Sequence, residues 1–482
     1  VRQQDAPRLV VLEGAAGAGK SRLAGWLARR AHETGAARVL RASHASREGR
    51  SEGIRGMFER AFRTWDLRRP EVYERLGEEV PSLGSGDQAR AVDVRGLTEL
   101  LRPTLRGMQE REGPSYQFSS PAQRQSLVIR TLQRLARRRP VVAWLDDLHW
   151  GRETLELLEF LFDPQNQWSP SLMILATVRE DALTERPSFR RRLDHLCEEA
   201  GADRISVSSL ASEDHREMVE RLLPLDPRLA EKLSARTEGN PLFAVQLLQQ
   251  WIDREALEIG EEGFRLAAEL DGEVPDDIHT VWIERVRRLV TDVPAASPAA
   301  LWEALELWAV LGREVAPTEW RAACQIADLD VPPEFREQLV ERGLAEATDE
   351  GWRLTHGLLV DILVRRAEEE GRSTRHHRHA ARMLAQTSPE RRRQTAERRA
   401  EHWLAAREYE RALEPLLEAA RQAKFRGDYD RLREYVERRA ELLEELDVAD
   451  QDPRRVENAL ESTVLVYKTG ERDALEIGRA HV

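Results

Sequence analysis

The chain opens with a short apolar run at residues 9–12. Gly14-Ala-Ala-Gly-Ala-Gly-Lys20-Ser21 follows, and then Leu23, Leu27 and Ala31 at helical spacing. A continuous apolar run suits a strand buried on both faces, and the three-and-four spacing suits an amphipathic helix. The alternation continues to about residue 210, with strand-like segments at 8–13, 38–43, 141–146, 172–178 and 204–210. Such alternation predicts a parallel sheet covered by helices. The stretch from 45 to 120 is mostly helical in pattern, and Ser120-Pro121 offers an N-cap and a first-turn proline.

Beyond residue 210 strand patterns become rare. Ser212-Glu213-Asp214 reads as a helix start with a capping hydroxyl, and 257–266 reads as a hairpin turning at Gly260-Glu-Glu-Gly263. A new unit starts at Pro275, where Ile278, Trp282, Val286 and Leu289 share a helical face. Helices are expected at 298–311, 317–327 and 333–342, with Gly312 closing the first of these three. Runs at 344–347 and 352–355 flank Thr348-Asp-Glu-Gly351, a hairpin signal. Short helices followed by a hairpin predict a winged-helix domain. From about 390 the pattern is helical throughout. Tyr409 and Tyr429 follow helix breaks, and Ala412, Leu413, Leu416, Leu417 and Ala420 lie between them. This resembles tetratricopeptide repeats, with a plain antiparallel bundle as the alternative. The expected partition is 1–210, 211–270, 271–387 and 388–475.

Composition narrows the class. With 482 residues, 41% apolar and 33% charged, the chain holds several modest cores and solvated helix faces. A net charge of −12 makes nucleic acid an unlikely partner. Cys197 and Cys324 sit in separate apolar-periodic segments, as buried thiols of a reducing compartment do. No apolar run approaches the roughly 20 residues of a membrane span, and no signal peptide is seen, so a cytoplasmic location is expected. His376, His377 and His379 among Arg372, Arg375 and Arg378 read as a solvated helix face; Trp302, Trp308 and Trp320 read as core. The chain starts at Val1, and residues 476–482 look like a translated sequencing adapter. A fragment cut at both ends is therefore expected.

The Gly-rich turn carries the first chemistry. Its spacing is that of a Walker A loop, in the strand–loop–helix setting that the motif needs. Only four lysines occur among 74 basic residues, so Lys20 inside this turn is not a generic cation. Gly14, Gly17 and Gly19 let the backbone wrap a polyphosphate, Lys20 reaches the β/γ-phosphates, and Ser21 holds Mg²⁺. The run Val141-Val-Ala-Trp-Leu-Asp146-Asp147 supplies a Walker B strand. Asp146 would hold the metal through water, and Asp147 would orient or activate the attacking water. Arg179 ends a strand-like run, at the strand ends where ligands sit in open α/β sheets. A guanidinium there could reach a γ-phosphate, but on position alone it reads as one surface arginine among seventy.

Four blocks occur in order: Gly14-Ala-Ala-Gly-Ala-Gly-Lys-Ser-Arg-Leu23, Trp144-Leu-Asp-Asp-Leu-His-Trp150, Ala176-Thr-Val-Arg179 and Gly239-Asn-Pro-Leu-Phe243. Together they resemble the STAND class of signal-transduction ATPases, an offshoot of the AAA+ lineage. The nearest look-alikes are ATPase regions linked to bacterial Ser/Thr protein kinases, adenylate cyclases and large LuxR-type regulators. The resemblance spans about 1–385. It implies an α/β P-loop NTPase core with a five-stranded parallel sheet. A helical lid, a winged-helix domain and α-helical TPR-like repeats would follow. It implies ATP/ADP and Mg²⁺ as cofactors. Gly14, Gly17, Gly19, Lys20, Ser21 and Arg22 would bind nucleotide, with Ser21 and Asp146 on the metal. Asp146, Asp147 and Arg179 would be catalytic, Pro241 would lie near the adenine, and His356 would touch the β-phosphate. Two departures stand out. Gly151-Arg152 replaces the usual small residue and acid, and the segment that covers the adenine ahead of the first strand is missing.

The function that follows is an ATP-binding switch with slow hydrolysis. Its nucleotide state would control assembly, as a homo-oligomer, or an attached kinase or transcription-regulator output. A protein partner would bind the repeats. The alternatives are a DNA-acting AAA+ ATPase that uses the winged helix, and a non-catalytic scaffold in which nucleotide is structural.

Overall fold

Five parallel strands form the first layer of this computed structural model. It describes residues 6–45, 53–65, 67–82, 87–104, 116–166, 168, 170–260, 263–267, 277–293, 296–348, 351–388, 392, 395–425 and 427–469. The strands are β1 (Arg8–Gly14), β2 (Arg38–Ser43), β3 (Val141–Asp146), β4 (Leu172–Arg179) and β5 (Asp203–Ser206), in the order β2-β3-β4-β1-β5. Helix α1 (Lys20–Glu33) follows β1. Helices α2 (Gly53–Phe62), α3 (Arg69–Glu79), α4 (Gln88–Leu101) and α5 (Pro121–Ala136) precede β3. Then come α6 (Arg152–Phe162), α7 (Glu180–Glu185) and α8 (Pro187–Glu199). Side chains alternate across a strand, so β1 feeds two cores. Leu9 and Val11 join the large cluster with Phe58, Leu132, Leu158 and Leu193. Val10 and Leu12 join a small one with Ala24, Ala28 and Trp144. This is a P-loop NTPase fold, with β1 and its loop between β4 and the edge strand β5.

Three local expectations shift. The buried stripe of α1 is Ala24 and Ala28, while Leu23 is 44% exposed. Small residues win because the helix lies close to the sheet: a Cβ on Gly25 would stand 3.2 Å from the Trp144 ring. Strand β5 is shorter than the pattern suggested and exposed along its length, as a sheet edge is. Ser120 does cap α5, accepting from the Gln123 N–H. Ser212, however, is the first helical residue of its helix, behind Ala211, and its hydroxyl makes no cap.

Helices α9 (Ser212–Leu222), α10 (Pro227–Thr237) and α11 (Pro241–Asp253) pack with the hairpin β6 (Leu257–Ile259) and β7 (Phe264–Leu266) in a third core around Leu233, Leu247 and Trp251. The next unit starts with α12 (Ile278–Thr291), α13 (Pro298–Leu311), β8 (Glu314–Val315), α14 (Pro317–Ile326) and α15 (Pro333–Glu341). Strands β9 (Ala345–Thr348) and β10 (Gly351–Leu354) follow, then α16 (Gly357–Glu369) and α17 (Ser373–Ala385). Its sheet runs β8-β10-β9, and Trp302, Trp308 and Trp320 are buried in its core. The histidine reading needs correction. His376 and His377 are buried, because α17 packs against α13 and, on its other side, the helix that follows it. His376 Nε2 lies 2.9 Å from Glu306, and His377 Nδ1 lies 3.0 Å from His402 Nδ1.

The chain then continues as α18 (Ala396–Ala405), α19 (Tyr409–Phe425), α20 (Tyr429–Glu445) and α21 (Pro453–Thr469), each packed on the one before. Cys197 and Cys324 are both free and buried. The expected start of the third unit at Pro275, the middles of the two hairpin turns and the 476–482 tail lie outside the described residues.

Candidate nucleotide-binding site

The loop between β1 and α1 is shaped by glycine. Gly17 sits at φ +80°, a left-handed conformation costly for other residues, and a Cβ there would stand 2.7 Å from Asn240 Oδ1. Gly19, at φ +103°, is the N-cap of α1. Gly14 lies against the Val207 carbonyl. Among the described residues no acceptor meets the N–H groups of Ala16, Gly17 and Gly19. Three free donors beside a helix N-terminus suit an anion with several oxygens. Lys20 is 5% exposed, and its Nζ donates to Gly14 O at 2.9 Å and Ala15 O at 2.7 Å. Burial pulls its pKa down, opposed chiefly by Asp147. Its charge is partnered by carbonyls alone, which leaves it suited to a phosphate.

Strand β3 brings the acids. Ser21 Oγ donates to Asp146 Oδ1 at 2.7 Å, Thr177 Oγ1 donates to the same oxygen at 2.9 Å, and Arg41 Nη2 donates to Oδ2 at 2.7 Å. Burial opposes ionisation of Asp146, but Arg41 and the hydroxyls outweigh it and hold the carboxyl below its ordinary range. Ser21 and Asp146 form a hard oxygen pair. That fits Mg²⁺, which takes one or two protein oxygens and completes its shell with phosphate and water. Asp147 differs from its neighbour. It stands at φ +55°, and its N–H donates to Thr177 Oγ1 at 2.9 Å. Burial, and then the charge of Asp146, push it up to about 7, against the pull of Arg313, Arg179 and Lys20. A carboxyl near neutrality, beside an ionised twin, is suited to taking a proton from water.

The Gly-Asn-Pro-Leu-Phe block joins the loop through Asn240. Its Oδ1 caps α11, accepting from Leu242 and Phe243 N–H, and its Nδ2 donates to Ala16 O at 3.0 Å. One amide therefore starts a helix and docks it on the phosphate loop. Pro241 is the first residue of that helix, beside the loop.

Arg179 ends β4 but is already engaged. It donates to Asp181 Oδ2 at 2.6 Å and, across 182 residues of sequence, to Asp361 Oδ2 of α16 at 2.7 Å. Its N–H points at His149 Nδ1 at 3.4 Å; burial, then Arg179, hold that imidazole down at about 3. His356 is the N-cap of α16, with its ring 5.4 Å from that of Trp282. Burial, followed by Arg313 and Arg285, lowers it to about 4, so it is neutral at pH 7. Gly151 has a steric reason: a Cβ there would lie 2.4 Å from the buried His44 ring, which spans Asp146 O and Thr154. Arg152 reaches Glu434 of α20 at 3.0 Å.

The structure thus gathers Gly14, Gly17, Gly19, Lys20, Ser21, Asp146 and Asp147 in one place, with Arg179, Pro241 and His356 around it. Arg22 is set apart. It is exposed on α1, in a groove of about 970 Å³ with Trp26, Arg29, Arg41 and Trp144. Arg41, Thr177 and Asn240 bond to the site, and Arg313 acts on Asp147 by charge; the sequence reading gave none of the four a role. Arg41 and Thr177 were visible as polar residues inside apolar strands, and Asn240 as an N-cap before proline. Arg313 had no local signal.

Residues 1–175 match the family model of the AAA ATPase domain. No curated protein sequence matches the chain. Among solved structures, the chain is similar to a STAND protein with a tetratricopeptide repeat sensor from Pyrococcus horikoshii. The identity is 12%, covering 98% of this chain and 67% of that one, with a TM-score of 0.41. A Walker-type ATPase of Pyrococcus abyssi matches at 16% identity over 74% and 90% of the two chains, TM-score 0.31. The ORC2 protein of Aeropyrum pernix, solved in ADPNP–ADP complexes, matches at 14% over 77% and 91%, TM-score 0.31. Residues 1–175 are thus similar to AAA ATPase domains and carry a P-loop fold.

Proposed function

We propose that this protein is a nucleotide-controlled signalling switch with slow ATP hydrolysis. In this reading a P-loop core (1–210), a lid (211–270) and a winged-helix domain (271–387) close around nucleotide. A TPR-like region (388–475) meets a protein partner. The observation that carries it is the double engagement of Arg179. This arginine stands at a strand end beside the acid pair, yet it is held by Asp361 from a different unit at 2.7 Å. A terminal phosphate that draws Arg179 away weakens that tie, so one residue both reads the nucleotide and fastens the cleft.

The residues divide the work. The loop N–H groups and Lys20 bind the polyphosphate; Ser21 and Asp146 would hold Mg²⁺, which neutralises phosphate charge. Asp147 orients water and accepts its proton. His356, as the winged-helix histidine, and Pro241, beside the adenine, line the same cleft. The attached output, a Ser/Thr kinase or a transcription regulator, belongs to this proposal, as do cytoplasmic location and nucleotide-dependent homo-oligomers. DNA is a poor fit. Helices α14 and α15 carry Arg321 and Arg336 against Glu319, Glu334, Glu337 and Glu341.

The test uses the chain with MgATP and MgADP. Nucleotide should bind in a Lys20-dependent way, turn over slowly, and give different oligomeric states by light scattering for ATP and ADP. Equal states with both nucleotides would sink the switch. A Lys20→Ala variant that melts earlier, from a parent with no turnover, would favour the scaffold reading.

A further inference from the structure

The unit that starts at α12 carries an arginine bonded to the stretch that reaches Asp147. Arg313 lies between Gly312, which ends α13, and the first residue of β8. Its Nε donates to Leu354 O at 3.1 Å and its Nη2 to Thr355 O at 2.8 Å, while its own carbonyl accepts from Leu354 N–H at 3.0 Å. Two bonds to one short stretch fix the guanidinium, and the third ties its backbone to the same stretch. Among the described residues its Nη1 has no hydrogen-bond partner. Two residues past Thr355, a Cβ built on Gly357 would lie 4.0 Å from Asp147 Oδ2, so this stretch abuts the second acid. The tie from Asp361 to Arg179 holds the same helix start against the sheet.

We propose that Arg313 is a phosphate-contacting residue of the nucleotide site, supplied in cis by the hairpin-bearing unit across the cleft from Lys20. This rests on the nucleotide-binding reading above and adds a residue that no motif marks. Its electrostatic setting agrees. Of the cations acting on Asp147, Arg313 pulls hardest, ahead of Arg179 and Lys20, and Asp147 and Asp146 are the leading acids acting on Arg313. Burial lowers the Arg313 pKa, so the charge is incompletely solvated. A polyphosphate entering between Lys20 and Asp147 brings the oxygens that a guanidinium fork accepts.

The test measures binding, by calorimetry and by the nucleotide-induced rise in melting temperature, with Mg-AMPPNP as the probe. Arg313→Gln should raise Kd at least tenfold and abolish most of the thermal shift. Arg313→Lys keeps the charge but gives up the fork to Leu354 and Thr355, and should recover a large part of the affinity. The proposal is overturned if Arg313→Gln binds within twofold of the parent. It is equally overturned if Gln and Lys lose affinity alike and both lower the ligand-free melting temperature, because Arg313 is then only a clamp. A parent that binds no nucleotide, or binds it as well with Lys20→Ala, brings down the nucleotide reading and this inference together. Lys20-dependent binding with an indifferent Arg313 brings down the inference alone.

Discussion

Asp147 shows how a single residue's chemistry is set by its surroundings. It and Asp146 are chemically identical neighbours, yet one is held low by Arg41 and two hydroxyls and the other is pushed up to about 7. Asp147→Asn keeps the shape and removes the base. Turnover should fall by at least about 10²-fold while nucleotide binding changes little, measured by phosphate release and calorimetry. The same change has a stability signature. A carboxyl whose pKa is higher in the folded state favours folding below about pH 4, and that contribution is lost as pH rises toward 7. Asp147→Asn should therefore gain on the parent above pH 7, by up to about 4 kcal/mol, and the gain should shrink toward pH 5. A difference between the two that ignores pH would contradict the burial argument. Lys20, Ser21 and the acid pair were legible because their motifs are local in sequence. Arg313 was not, because its partners Leu354 and Thr355 are some forty positions away.

At the scale of elements, helix ends and burial decide roles that periodicity leaves open. Asn240 was readable as a cap before Pro241, but its second bond, to Ala16 O, exists only because α11 arrives at the loop. Helix α17 is the reverse case: its Arg- and His-rich pattern looks solvated, yet α13 presents Glu306 to it. Arg366, Arg372 and His376 converge on that carboxylate, which has no exposed area. Burial works against its ionisation, but hydrogen bonds from Arg372 and His376 outweigh it and hold Glu306 at about 2. Its contribution is therefore present above about pH 4.5 and is lost as pH falls through about 2. Glu306→Gln leaves two partly buried arginines without a counter-charge and should destabilise this unit by about 3 kcal/mol. A urea melt followed by the fluorescence of Trp302, Trp308 and Trp320 reads it; an unmoved midpoint would mean the cluster is solvated after all. Glycine and alanine explain the phase error in α1, where closeness to the sheet, not side-chain size, chose the buried stripe.

Across the whole molecule, the C-terminal helices fold back onto the ATPase core. Arg124 of α5 meets Asp428 at 3.0 Å, Arg431 lies 3.5 Å from Glu153, and Arg152 pairs with Glu434. Tyr429 donates to Ser119 O at 3.3 Å. The corner between α19 and α20 thus rests on the segments that flank β3. Arg124→Glu should cost about 2–3 kcal/mol of docking, because the pair is largely buried. Hydrogen exchange at residues 427–434 should quicken about tenfold, with recovery when Asp428→Arg is added; unchanged exchange would show that the corner is held by other contacts. By itself the sequence determined the phosphate loop, the acid pair, the five strands and the helical tail. Each of these is written in short-range spacing, which backbone geometry and side-chain periodicity translate directly. Only the tertiary structure decided that Arg179 is tied to Asp361, that Arg152 reaches Glu434, that His376 is buried, and that Arg313 is held by Leu354 and Thr355. Those pairings depend on how separate units pack, and charge–charge contacts between distant segments leave no periodic trace in the chain.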